Sequence, residues 1–162
     1  MGSIKAHNEY FDITKFIDEC LKTITATSNE KNIDIKIDVS KNMRAIFLDE
    51  SLCKQILTNL LTNSIKYTPN DGQIIIKAAI NDQEIELSVT DTGIGMSEDE
   101  VKYILDPYDH VASANLRTSH GVGIGLTIVK NLTEAQGGRF SVTSEKDKGS
   151  TFTVHFPIIE SD

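Results

Sequence analysis

Three sets of residues have the types and spacing to do chemistry. In "SLCKQILTNLLTNSIKYT", Asn59, Asn63 and Lys66 recur at i, i+4 and i+7, a polar stripe along one edge of a helix. An Asn carbonyl oxygen can ligate a hard cation such as Mg²⁺, and a Lys ammonium can neutralise phosphate. The same spacing also describes a face turned to water. In "VTDTGIGM" a strand runs into Asp91, followed by Gly93 and Gly95. A carboxylate there can accept from a ligand amine while the glycines let backbone approach the ligand. Equally, the glycines can serve a turn that needs positive φ. In "RTSHGVGIGLTIVK", Gly121, Gly123 and Gly125 lead into an apolar segment, either a plain helix entrance or a backbone cradle for an anion. Two common phosphate templates do not fit. G-x-G-x-x-G from Gly121 would need glycine where Leu126 stands, and no Gly-Lys-Ser/Thr triplet occurs.

The elements that must position these residues follow from periodicity. "KNIDIKIDVS" sets Ile33, Ile35, Ile37 and Val39 against Asp34, Lys36 and Asp38, the alternation of a half-buried strand. "QIIIKAAI" and "EIELSV" are two more strands joined by a turn at Asn81-Asp82. "RFSVTSE" and "STFTVHF" form a second hairpin around Asp147-Lys148-Gly149, with Phe152, Val154 and Phe156 on one face and Thr151, Thr153 and His155 on the other. Helices are expected from about Lys15 to Glu30 and from Ser51 to Tyr67, the latter capped by Asp49 and ended by Pro69. A short one follows the capping box "SEDE" and runs to Leu105. A last helix runs from about Val122 to Gln136 and stops at Gly137-Gly138. "DPYDHVASANLRTSH" has no regular patterning, and a loop of that length in one domain is usually functional. Strands with one apolar face each imply a single sheet covered by helices on one side.

Composition narrows the classes. A chain of 162 residues, 39% hydrophobic and 25% charged, suits one globular domain. A net charge of −8 argues against general nucleic-acid binding, which needs Lys and Arg to neutralise phosphates, but not against a single nucleotide in a locally positive site. Cys20 and Cys53 lie far apart and outside any metal-ligand spacing, so buried free thiols are expected. No apolar run approaches the ~20 residues of a membrane span, and no signal peptide opens the chain.

Taken together the three sets stop being independent. Asn59-x-x-x-Asn63-x-x-Lys66-Tyr67, Asp91-x-Gly93-x-Gly95 and Gly121-x-Gly123-x-Gly125-Leu126, in that order, closely resemble the ATP-binding catalytic domain of sensor histidine kinases, within the GHKL ATPase superfamily. "NLLTNSIKYTPNDG" is similar to that family's N box and "DTGIGM" to its first glycine box. "ILDPYDHV" is similar to its F box and "GVGIGLTIVKNLTEAQGG" to its second glycine box. The resemblance runs from about Phe11 to Pro157.

The resemblance implies an α+β fold of Bergerat type: a two-layer α/β sandwich with a mixed, mostly antiparallel sheet and helices on one face. It implies a catalytic domain over residues 11–159, a cloning remnant or linker from acceptor helices over 1–10, and a tail over 160–162. Asn63 would coordinate the Mg²⁺ that accompanies ATP, supported by Asn59. Lys66 would contact phosphate oxygens and Tyr67 would lie against the nucleoside. Asp91 would accept from the adenine amino group, beside Gly93, with Gly95 giving room next to the ring. Gly121, Gly123, Gly125 and the Leu126 amide would enclose the phosphates where a lid meets its helix, and Arg117 in that lid would reach the γ-phosphate. The implied activity is transfer of the γ-phosphoryl group to a histidine on a dimerisation and phosphotransfer domain, through Asn59, Asn63 and Lys66. The implied partners are that domain and a response-regulator receiver, with this chain a monomer, its parent a homodimer, and the location cytoplasmic.

One position separates branches of the superfamily. Gyrase-type, mismatch-repair and heat-shock ATPases are known for a glutamate four residues before the metal-binding Asn. Here that position is Asn59, which cannot act as a general base. The chain departs from the pattern in the F box, where Leu105 and Tyr108 stand for two Phe, and at Val122 and Ile124 in the second glycine box. The altered F box leaves room for an alternative, a kinase-like module that senses nucleotide or docks a response regulator. None of His7, His110, His120 or His155 has the setting of the family's phosphorylated histidine. His155 is expected to be exposed on its strand, and His110 and His120 to belong to the lid.

Overall fold

The computed structural model of the chain describes residues 3–106 and 124–159. In chain order its elements are β1 (Glu9–Asp12), α1 (Ile13–Lys22), α2 (Thr25–Glu30), β2 (Asp34–Val39), β3 (Ala45–Leu48) and α3 (Glu50–Tyr67). There follow β4 (Gln73–Asn81), β5 (Glu84–Asp91), α4 (Glu98–Leu105), a helix over Ile124–Ala135 that we number α5, β6 (Arg139–Glu145) and β7 (Gly149–Pro157).

Helix α3 is the element on which both layers converge. Its apolar residues fall every three or four positions, so Cys53, Ile56, Leu57, Leu60, Leu61 and Ile65 are all buried. It packs against α1, α5 and β5. Asp49 caps its start, accepting from the Leu52 N–H at 3.0 Å. At its end the Lys31 ammonium donates to the Ile65 carbonyl at 2.5 Å, a cation placed on the negative pole of the helix.

The main sheet has the order β2-β4-β5-β7-β6. β2 and β4 run parallel and the other neighbours antiparallel. Alternation divides its faces. Ile74, Ile76 and Ala78 of β4, Ile85, Leu87 and Val89 of β5, and Phe152, Val154 and Phe156 of β7 are buried with the helices. The intervening residues are mostly polar and half-buried, so one face is covered and the other open. The expected two-layer α+β sandwich, mostly antiparallel, is the observed one.

Four local expectations are corrected. The helix expected over Lys15–Glu30 is two: at Thr23 the hydroxyl turns back to the Cys20 carbonyl at 2.7 Å, ending α1 before α2 begins. The sheet is not single, because β1 and β3, each four residues, pair as a separate antiparallel ribbon. Four residues are too few for alternation to register, and the ribbon is held by the Tyr10–Phe47 ring contact at 4.9 Å. In β2, Ile37 is 41% exposed, because β2 is the sheet's edge and the helix layer covers it incompletely. His155, expected exposed, is buried at 8% exposure among neighbours on the open face, described below. The last helix begins, within the described residues, at Ile124 and gives way to Gly137 at φ +75, as the Gly-Gly signal predicted.

Asp49 ties more than its own helix. Its second carboxylate oxygen accepts the His7 N–H at 2.7 Å, and its own N–H donates to Gln136 Oε1 at 3.2 Å, just beyond α5. Asp49→Ala therefore removes the cap and strands the His7 donor, and should lower stability by about 1–2 kcal/mol, whereas Asp49→Asn, which keeps an accepting oxygen, should lose less. Urea denaturation of the two variants against the parent measures the difference.

Candidate functional site

The carboxyl end of β5 and the facing side of α3 form a cleft. Asn63, Tyr67, Asp91, Ile94, Gly95 and Met96 line it, with Glu100 of α4 and Ser150 and Phe152 of β7 closing its sides. Asp91, Asn63, Tyr67 and Gly95, proposed from spacing and resemblance, are thus brought together.

Asp91 sits at the floor with 5% exposure. Its Oδ1 accepts the Gly93 N–H at 2.9 Å and the Ser150 N–H at 3.2 Å. Burial pushes its pKa above the ordinary aspartate value, and the N–H groups of Gly93 and Ser150 and the Ser64 hydroxyl only partly offset this. Ser64 is fully buried on α3, and its Oγ makes no hydrogen bond of full geometry. A buried carboxylate whose full-geometry hydrogen bonds both fall on Oδ1 keeps Oδ2 for a ligand carrying its own N–H groups.

The glycines here have specific causes. Gly93 lies against the end of α3: a Cβ would stand 2.7 Å from the Tyr67 carbonyl oxygen and 2.8 Å from Asp91 Oδ1. Gly95 has φ +67, and its missing side chain is directed at the Glu145 carbonyl. Asp147 N–H donates to the Ile94 carbonyl at 2.7 Å, and Met96 N–H to Ser144 Oγ at 2.8 Å, so this turn is stitched to the β6–β7 hairpin.

One turn earlier on α3, half-buried Asn59 meets the start of α5. A Cβ on Gly125 would lie 3.9 Å from Asn59 Oδ1. The two amides of the stripe thus border Asp91's cleft at Asn63 and the first turn of α5 at Asn59. Lys66 is exposed, its Nζ 5.3 Å from the Tyr67 ring centre. Leu126, in the first turn of α5, is fully buried. Arg117, Gly121 and Gly123 lie outside the described residues, as do Pro107, Tyr108, His110, His120 and Val122. The free thiols behave as expected: burial pushes Cys20 up to about 11 and Cys53 to about 12, leaving both protonated at neutral pH.

Sequence reasoning missed Ser64, Ser150, Met96 and Glu100. Ser64 left one signal, as the only hydroxyl in the otherwise apolar arc of α3. Glu100 was legible only as the capping partner of Ser97, whose Oγ lies 3.3 Å from its carboxylate. Ser150 contributes a backbone N–H, which any residue type could supply.

The raised pKa of Asp91 makes a stability prediction. The folded state holds this proton more tightly than the unfolded chain, so its contribution is complete below the ordinary value near 3.9 and is lost as pH rises through the raised pKa. Asp91→Asn keeps an oxygen for Gly93 and Ser150 and carries no charge. The variant should be the more stable protein at neutral pH, with the gap closing as pH falls through that window. Thermal melting from pH 3 to pH 8 on both proteins reads it.

Comparison with known proteins bears on the whole chain. The family model described as histidine kinase-, DNA gyrase B- and HSP90-like ATPase matches residues 48–160. The chain is similar to hybrid signal transduction histidine kinase B of Dictyostelium discoideum, at 35% identity over 91% of this chain and 8% of that protein. Curated relatives of this kind are much longer: the chain spans between 7% and 41% of their lengths. Among solved structures, full-length ShkA in complex with AMPPNP superimposes with a TM-score of 0.83 at 28% identity, over 99% of this chain and 33% of that one. Histidine kinase ThkA in complex with the response regulator TrrA has the same fold, with a TM-score of 0.76 at 21% identity, over 95% of this chain and 42% of that one. With a match that takes in α3, the Asp91 cleft and α5, this chain belongs to the histidine kinase-, DNA gyrase B- and HSP90-like ATPase family.

Proposed function

We propose that this domain binds ATP with Mg²⁺ and donates the γ-phosphoryl group to a histidine on a separate dimerisation and phosphotransfer domain, in two-component signalling. The observation that carries the reading is the Asp91 floor, a buried carboxylate whose desolvation is only partly offset by its neighbours. Both of the carboxylate's hydrogen bonds among the described residues go to Oδ1. Oδ2 is left for a donor entering the cleft, which the exocyclic amine of adenine supplies. Tyr67 and Met96 offer apolar walls for a ring.

The phosphate end would lie along Asn63 and Asn59 toward the first turn of α5. Helix N–H groups favour anions there, and the amide oxygens of Asn63 and Asn59 are the hard donors Mg²⁺ prefers. Bound there, the ion would neutralise charge on the phosphate oxygens during transfer. Lys66, exposed at the end of α3, would contact phosphate oxygens, and Arg117, Gly121, Gly123, Gly125 and the Leu126 amide would close over them. Asn59 cannot deprotonate water, so the acceptor must come from another domain. The phosphoryl group would pass onward to a response-regulator receiver. Within the described residues no helix is long and apolar enough to cross a membrane. Our reading is of a cytoplasmic domain, monomeric alone and dimeric in its parent.

Two measurements test this. Calorimetry with Mg-ATP should show binding by the parent and a loss of about 10- to 100-fold in affinity in Asp91→Asn, the range for one hydrogen bond to a charged group. Radiolabelled ATP should label a histidine on the cognate acceptor domain and release little phosphate without it. Measurable ATP binding with no labelled histidine would sink the kinase reading.

A further inference from the structure

The open face of the sheet carries a second cluster that the nucleotide site does not use. Glu84 and Glu86 of β5 and His155 of β7 present their ligand atoms to one another, all within 4.8 Å. The strand register explains the meeting, since Glu86 stands directly opposite His155 and Glu84 lies two residues along on the same face. His155 is 8% exposed, and its Nδ1 is buried without a hydrogen bond. That nitrogen points into the carboxylate pair, 3.5 Å from Glu84 Oε2 and 3.4 Å from Glu86 Oε1.

These separations bear on two chemistries. An N–H···O bond is about 2.7–3.2 Å long, and both contacts exceed it. Two ligands held tetrahedrally about 2.0–2.2 Å from one metal stand about 3.3–3.6 Å apart, and both contacts fall in that range. We propose that Glu84, Glu86 and His155 form a Zn²⁺ site, with a water as the fourth ligand on the open side. An imidazole nitrogen in the set favours zinc over magnesium or calcium, which take oxygen.

The surroundings fit a metal-bound imidazole. Ser141 Oγ lies 3.2 Å from His155 Nε2. As acceptor from Nε2–H it leaves the lone pair on Nδ1, the tautomer that ligation requires. Each carboxylate has its own support: Arg139 donates to Glu84 Oε2 at 3.0 Å and Asn81 Nδ2 to Glu86 Oε1 at 3.4 Å. Arg139 is largely exposed, so its charge is screened by solvent and it can swing aside as the cation arrives. Two carboxylates and a neutral imidazole carry −2, which a divalent ion cancels. The site would clamp β5 to β7 at the end of the sheet away from Asp91, on the opposite face. Loading it should therefore leave the nucleotide cleft unchanged.

The test uses the chain stripped with a chelator and titrated calorimetrically with Zn²⁺. The parent should give a one-to-one isotherm and a raised melting temperature. His155→Ala and Glu86→Gln should each abolish both, while Ser141→Ala weakens binding by about 10- to 100-fold. Co²⁺ in place of Zn²⁺ should give the visible absorption of a tetrahedral site, absent from both ligand variants. If His155→Ala does not fold, Glu86→Gln, half-buried and nearly isosteric, decides alone. No isotherm with the parent, or one unchanged in Glu86→Gln, overturns the proposal and leaves His155 as a packing neighbour of its two glutamates.

Discussion

A carboxylate can stand at 5% exposure only where other donors replace the water it has lost, and Asp91 draws them from the turn after β5 and from the start of β7. The Ser150 N–H is in reach because β7 starts beside the end of β5, with Gly149 at φ +106 so that its backbone can lie against the Asp91 carbonyl. The Gly93 N–H is in reach because the chain turns at once under the last carbonyl of α3, where a Cβ would collide. The ends of α3, β5 and the β6–β7 hairpin therefore converge on one side chain. Their compensation is incomplete, so burial leaves the Asp91 pKa above its ordinary value. In the proposed function that deficit suits Asp91 to receive a donor, and it ties the stability of the fold to the same charge that the ligand would use.

The period of two along β5 separates two chemistries. Ile85, Leu87, Val89 and Asp91 share the covered face, so the apolar row that forms the core ends in the carboxylate of the cleft. Glu84 and Glu86 share the open face with His155. One strand thus carries the acid of the cleft at one end and the proposed metal ligands at the other, with no side chain common to both. A slip of one residue in the β5–β7 register would exchange the faces and destroy both sites.

Much of this was legible in the sequence because it rests on local rules. The caps at Asp49 and Ser97, the stop at Gly137-Gly138, the two hairpins and the apolar arc of α3 each follow from a few neighbouring residues. What escaped depends on partners distant in the chain. His155 alternates with Val154 and Phe156 and so was expected in water, but Glu84, Glu86, Arg139 and Ser141 come from other strands and cover it. β1 and β3 exist because they pair with each other across more than thirty residues of chain. Ser64 falls by its spacing in the apolar arc of α3 and is buried with it, yet only β5, which brings Asp91 beside it, gives its hydroxyl a neighbour.

The proposed acceptor chemistry follows from what the cleft holds. Its described carboxylates are Asp91, engaged by two N–H groups, and Glu100, 3.3 Å from the Ser97 hydroxyl. Both stand at the strand-end side, while the amides Asn63 and Asn59 lead away toward α5. Along that path the described residues offer donors and carbonyl oxygens and no group able to take a proton from water. A hydroxyl or water acceptor needs such a group before it can attack. A neutral imidazole does not, because one ring nitrogen already carries an unshared pair. The proposed site, which would position phosphate and neutralise its charge without making a nucleophile, would thus be matched to an incoming histidine and slow toward water.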